Sequence, residues 1–265
     1  MRLYLDPGHG GSDPGATGNG LYEKNINLDI ALRIRNILTS EYNNVQVRMS
    51  RTTDATVSLN QRTNDANTWN ADYFLSVHCN SFNGSARGYE DYIHSSLSDG
   101  SQTAQYRNQV HSEVTKVNQL RNRGKKKANF HVLRESAMPA ILTENGFIDN
   151  PSDAALMRSA SWRQTVARGH VNGLAKAFNL TKKPGSGSIY RVVAGSFKSR
   201  DNAEQRVDML QSKGINAFVD LVTISGQQWY RVQAGAFTNR SNAEEQLTKV
   251  KNAGVTDAYI VHESR

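Results

Sequence analysis

From Tyr190 onward the chain repeats itself: YRVVAGSFKSRDNAEQRVDMLQSKGINAFVD is followed, 40 positions later at Tyr230, by YRVQAGAFTNRSNAEEQLTKVKNAGVTDAYIV. A period of that length is one supersecondary unit per copy. Each copy reads as an alternating strand, a polar turn ending in a helix cap (residues 199–202 and 241–242), an amphipathic helix, a glycine stop (Gly214, Gly254) and a second strand. A single βαβ unit this short cannot bury its own apolar face. The two copies must therefore share one antiparallel sheet with both helices on one side, which leaves the other sheet face open.

The stretch TKKPGSGS at residues 181–188 has the glycine, serine and proline content of a flexible linker. The expected organisation is thus residues 1–180, a linker over 181–188, and the duplicated unit over 189–265, a small α+β domain of ferredoxin-like βαββαβ type. The first 180 residues alternate strand and helix patterns. RLYLD, 45–49, 73–78 and 140–144 read as strands; 25–40, 60–69, 103–119 and 153–178 read as helices, with Ile26, Ile30, Ile34 and Ile37 marking the inward stripe of the first. That order predicts an α/β domain, a mostly parallel sheet covered by helices, with its ligand site beyond the carboxyl ends of the strands.

Charge and composition narrow the function. The formal net charge is +8, but residues 1–180 carry 20 basic against 16 acidic side chains, so the excess is thinly spread. Nucleic-acid binding is not expected, because it concentrates charge on one face; the RRM architecture is also βαββαβ, yet YRVVAGSF and YRVQAGAF lack its stacking pattern. The one dense cluster, RNRGKKK at 121–127, reads as a solvated loop or as a contact for an anionic polymer such as teichoic acid. A single cysteine, Cys79, excludes an internal disulfide. No apolar run nears the roughly 20 residues of a membrane span. MRLYLDPG carries no apolar h-region or cleavage site of a Sec signal. The expectation is either a chain made in the cytoplasm and released by lysis or another non-Sec route, or a sequence that is already processed.

His9 lies in LDPGHGGSDPGATGNGLYEKN, a 21-residue stretch with six glycines that also holds Glu23. His78 ends the strand YFLSVH and Glu144 ends AILTE, so three side chains of metal or proton chemistry fall at strand ends and can converge on one rim. Hydrolytic zinc takes three ligands from histidine and carboxylate and keeps a fourth position for water. His9, Glu23 and His78 supply such a set, glycines let the loop close on an ion, and Asp6 is placed to orient an imidazole. Each residue also has a plainer reading: a histidine hydrogen-bonded at a strand end, Glu23 favoured by a helix dipole, Glu144 capping the turn after it. Cys79, adjacent to His78 on a strand, should point into the core. His94, His111, His131, His170 and His262 lie on segments without a second ligand nearby and read as surface or structural.

DPGHGGSDPGATG, the YEKN that follows, LSVHCNS and MPAILTENGFIDNP together resemble, in order and across nearly all of residues 1–180, the four sequence blocks of the zinc-dependent N-acetylmuramoyl-L-alanine amidases. YRVQAGAF with NAE and the glycine stop resembles the sporulation-related (SPOR) repeat domain that binds peptidoglycan glycan. The pairing is most similar to the cell-wall amidases with which spore-forming bacilli lyse the mother cell, with a phage lysin as the alternative. The resemblance implies one Zn2+ per chain on His9, Glu23 and His78, with Glu144 as the catalytic carboxylate. It also implies cleavage of the amide between the lactyl carbonyl of N-acetylmuramic acid and L-alanine. Where the family block commonly reads HAN, this chain has His78, Cys79, Asn80. Asn80 and Arg134 are candidate substrate contacts. On the open face of the repeat sheet, strand alternation makes Arg191, Arg231 and Gln233 candidate glycan contacts. Competing readings are a zinc peptidase or deacetylase acting on another wall amide, and a non-catalytic peptidoglycan-binding protein, against which the intact His9, Glu23, His78 and Glu144 set argues.

Overall fold

The structure, a computed structural model, describes residues 1–184, 188–238 and 240–264; residues 185–187 of the expected linker lie outside them. The chain divides into two compact units, Met1–Lys182 and Lys183–Arg265.

In the first unit the strands are β1 (Arg2–Pro7), the two-residue pair β2 (Thr17–Gly18) and β3 (Leu21–Tyr22), β4 (Gln46–Met49), β5 (Tyr73–Asn80), β6 (Tyr89–His94), β7 (Asn122–Ala128) and β8 (Ala140–Phe147). Six of them form one sheet in the order β4-β1-β5-β8-β6-β7, parallel throughout except for β6 against β8. Helices α1 (Glu23–Glu41), α2 (Leu59–Thr68), α3 (Gln102–Thr115), α4 (His131–Arg134), α5 (Pro151–Arg158) and α6 (Ala160–Ala177) complete the unit. Alternation along the strands sorts the core. Leu3, Leu5, Tyr73, Leu75, Val77 and Cys79 join the isoleucines of α1 and the apolar face of α6 on one side of the sheet. Tyr4 and Phe74 meet Val132, Leu133, Ala140 and Leu142 on the other. Cys79 is buried, as its place in the strand required.

Three sequence expectations need correction. Residues 121–127 are not a loop: residues 122–128 are β7, paired in parallel with β6, and a lysine-rich edge strand resists pairing with further chains. The expected set of strands contained neither β6 nor β7, because YEDYIH and NRGKKKA carry too much charge for an apolar run. Residues 153–178 are two helices rather than one. Ser159 ends α5 in an extended conformation and its side chain then accepts the Trp162 N–H, capping α6.

The second unit is one antiparallel sheet, ordered β10 (Phe218–Ile224), β11 (Gln227–Phe237), β9 (Ser188–Phe197) and β12 (Tyr259–Ser264), with helices α7 (Arg200–Gln211) and α8 (Arg240–Asn252). Its core is its own: Val192, Ala194, Val232 and Ala234 pack against Ala203, Val207, Leu210, Ala243 and Val250 of the helices. The duplication is visible in detail, since Arg206 donates to the Ala194 carbonyl and Gln246, 40 positions on, to that of Ala234.

Candidate metal centre

Helix α1 begins without a side-chain cap. Its first orphan N–H groups, on Glu23 and Lys24, donate instead to the carbonyls of Ala16 and Pro14 at 2.9 and 3.2 Å, so the glycine-rich loop closes over the helix start and fixes Glu23. Two glycines of that loop make room for the ligands themselves. A Cβ at Gly8 would overlap the His78 imidazole, and one at Gly15, whose φ is +66°, would stand 2.6 Å from Glu23 Oε2. His9 itself holds φ at 62°, a left-handed conformation that is strained for a histidine and that surrounding structure must impose.

Two arginines impose it. Arg51 donates to the carbonyls of Pro7, Gly8 and Lys24, and Arg62 to those of Pro7 and His9. Asp6, expected to orient an imidazole, instead accepts Arg62 at 2.6 Å and Ser76 at 2.7 Å in a buried cluster. The partner of His9 is Asp13, whose Oδ2 lies 2.8 Å from Nδ1. Sequence reading missed Asp13, Arg51 and Arg62 because each acts across a fold or a tight turn rather than by spacing; the only signal was DPGHGGSD itself.

His9, Glu23 and His78 meet. Among the described residues they form the one group of three or more histidine, cysteine, aspartate or glutamate side chains arranged to hold a metal ion, their donor atoms all within 4.8 Å of one another. Glu23 Oε2 is 3.2 Å from His9 Nε2 and Glu23 Oε1 is 2.9 Å from His78 Nδ1. Ligands of one tetrahedral ion at about 2.0–2.1 Å are separated by roughly 3.3 Å, and both Glu23 separations are already close to that value. The Ala16 and Cys79 N–H groups and Asn27 also donate to the Glu23 carboxylate and fix its plane. Burial would raise the Glu23 proton affinity, but hydrogen bonds from His78 and His9 outweigh it and hold the carboxyl well below the usual range. Burial lowers His9 and the Glu23 and Asp13 carboxylates raise it, to about 8 on balance.

Glu144 stands directly across from His78 on β8, and its Oε2 is buried with no protein partner. Burial first, then the Glu23 and Glu90 carboxylates, push its proton affinity well above the usual carboxylate range. With His9 and His78 it lines a cleft of about 530 Å³ whose apolar wall includes Leu59, Phe130, Val132 and Leu142. His131, read as structural, also lines the cleft. Asn80 and Arg134 do not: Asn80 donates to Glu90, and Arg134 pairs with Glu135 and Asn129.

On the second unit, Arg191, Arg231 and Gln233 fall on the sheet face turned away from the helices. Gln233 is only 3% exposed, its Oε1 accepting Arg191, which also pairs with Glu263, so it supports Arg191 rather than presenting itself. The same face carries a feature the sequence did not flag: Phe218, Gln233, Val193 and Tyr259 are successive cross-strand partners, with the aromatic rings exposed at the two outer strands.

Fold and site define a class: a hydrolase of α/β architecture whose cleft opens at the carboxyl ends of parallel strands, around side chains able to hold a metal ion. The chain belongs to the N-acetylmuramoyl-L-alanine amidase family, whose model matches residues 3–176, and a SPOR domain matches residues 186–261. It is similar to the N-acetylmuramoyl-L-alanine amidase CwlM of Bacillus licheniformis, with 52% identity over 219 residues, 83% of this chain and 84% of the relative. A sporulation-specific N-acetylmuramoyl-L-alanine amidase of Bacillus subtilis strain 168 is 53% identical over 219 residues, with the same shares. Among solved structures, the catalytic domain of CwlV, an N-acetylmuramoyl-L-alanine amidase from Bacillus (Paenibacillus) polymyxa var. colistinus, aligns at a TM-score of 0.64 and 31% identity. That match covers 68% of this chain and 99% of the CwlV domain.

Proposed function

We propose that this hydrolase carries one zinc ion on His9, Glu23 and His78 and cuts the amide joining the lactyl carbonyl of N-acetylmuramic acid to L-alanine in peptidoglycan. The observation that carries the reading is the meeting of those three donors where His9, His78 and the buried, unpartnered Glu144 oxygen line one cleft. Two imidazoles and a carboxylate are the donor set of hydrolytic zinc. When bound, the ion supplies Lewis acidity, which activates water near neutral pH and polarises the carbonyl under attack. Glu144 takes the proton of the attacking water and returns it to the departing alanine nitrogen, a role suited to a carboxyl whose surroundings favour holding a proton. Asp13, accepting a hydrogen bond from Nδ1–H, orients His9 so that Nε2, which faces Glu23, would be the atom that holds the ion. The same chain would act at the cell wall, in mother-cell lysis during sporulation or as a lysin, with residues 189–265 holding the glycan and 181–188 joining the two parts.

Mass spectrometry of purified wall digested with the protein, with and without a chelator, tests the reaction: new L-alanine amino termini are expected, and new reducing ends instead would identify a glycan-cleaving enzyme. Roles separate in variants. His9→Ala, His78→Ala and Glu23→Ala should lose the metal, whereas Glu144→Gln should keep it and lose at least about 100-fold in turnover. Full zinc occupancy in Glu23→Ala would refute the ligand set, and near-normal hydrolysis by Glu144→Gln would remove it as the proton carrier.

A further inference from the structure

We infer that Arg123 and Lys126, held on the buried Glu90 beside Glu144, form a subsite for a carboxylate on the peptide side of the cut bond, two or three residues beyond the departing amine. The inference rests on the reading of Glu144 as the group that protonates that amine, because this places the peptide's first residue against β8. Glu90 and Glu144 are direct cross-strand partners on β6 and β8, and Tyr92 pairs with Leu142 two positions along the same face. Glu90 is 2% exposed. Its carboxylate accepts Arg123 Nε at 2.6 Å, Lys126 Nζ at 2.5 Å, Tyr92 Oη at 2.7 Å and Asn80 Nδ2 at 2.9 Å.

Two cations thus share one carboxylate and leave one positive charge over. Both are fixed in place, Arg123 above the Phe147 ring at 4.8 Å and Lys126 above the Tyr92 ring at 5.8 Å, yet their side chains keep 29% and 35% exposure. A lysine-rich edge strand is explained by protection against pairing. That role needs no buried carboxylate turning Arg123 and Lys126 onto the face that carries Glu144. Reach agrees with the assignment. Neighbouring strands are about 4.8 Å apart, so β7 lies roughly 10 Å from β8, and an extended peptide covers that span in about three residues at some 3.3 Å each.

The test compares kcat/KM on a soluble muropeptide bearing free carboxylates at the second and third stem residues with the same muropeptide amidated there. The wild-type protein should favour the acid by about fivefold, the upper worth of a partly exposed ion pair, and the preference should shrink as salt is added. Lys126→Met and Arg123→Gln should each bring the ratio towards one through KM, and Lys126→Arg should retain it. Lys126→Met and Arg123→Gln each leave Glu90 one cation and Lys126→Arg leaves both, so the fold and metal content, checked by circular dichroism and metal analysis, should persist. Equal wild-type rates on the two substrates, or an unchanged ratio in both variants, would overturn the subsite. So would variants slowed only on walls that keep their anionic polymers, since the pair would then bind that polymer. Cleavage of neither muropeptide by wild type would instead sink the amidase reading itself.

Discussion

Around His9 the decisive facts concern single atoms. Nδ1 lies against Asp13 and Nε2 against Glu23, so the orientation of the ring is set before any ion arrives. Asp13 is more than half exposed, which limits the strength of its hold but makes it replaceable without damage to the core. Asp13→Asn should therefore fold normally and bind zinc about tenfold more weakly, measured by competition with a chromogenic chelator. Unchanged affinity would mean that the arginine-clamped backbone alone orients the ring. The same neighbourhood explains part of the loop's poverty in packing residues: Gly8 makes room for the His78 ring and Gly15 for the Glu23 carboxylate, while Gly10 and Gly11 let the backbone pass against Ala55 and Thr56.

At the level of elements, the site hangs on β1, β5, β8 and the start of α1, and these are held by the largest core and by α6. Helix α6 carries a buried histidine of its own. His170 touches the Val166 carbonyl and Thr143 Oγ1 of β8, and burial pushes it down to about 4. A histidine held neutral in the folded state takes up a proton more readily once unfolded. Its contribution to stability is thus complete above the unfolded value near 6.5 and declines as the pH falls towards 4. Between pH 7 and pH 5 the wild-type protein should lose about 2 kcal/mol that His170→Gln does not lose, read from urea unfolding at both pH values. Parallel pH dependence in the two proteins would show that His170 remains accessible to protons.

For the molecule as a whole, two units with separate cores imply separable activities. The repeat unit buries Val192, Ala194, Val232 and Ala234 under its own two helices. Residues 189–265 alone should fold and sediment with insoluble wall, preferring glycan freed of stem peptides. Residues 1–180 should keep full rates on soluble muropeptides and act more slowly on intact sacculi, because tethering to an insoluble polymer acts through effective concentration. Pelleting assays and turbidity loss of sacculi measure both. Equal sacculus lysis by the truncated and full chains would show that the second unit does not serve catalysis.

Much of this was legible in the order of residues. The 40-residue repeat determined the second unit, because a duplicated βαβ has one economical way to cover its faces, and the strand-end positions of His9, His78 and Glu144 determined the rim, because parallel strands present their carboxyl ends together. Periodicity also placed Cys79 in the core. Tertiary structure alone decided the rest. Strands β6 and β7 are polar by sequence and pair because β8 offers an edge to β6 and β6 one to β7, with Arg123 and Lys126 of β7 both held on Glu90 of β6. Asp6 and Asp13 are equivalent as carboxylates near His9, and only the three-dimensional approach of Arg62 to one and of the His9 ring to the other assigns their roles. Short-range pattern reports which face a side chain takes. Which distant group it meets there is a property of the closed fold, since the partner arrives from far along the chain, as Arg62 reaches Asp6 across 56 positions.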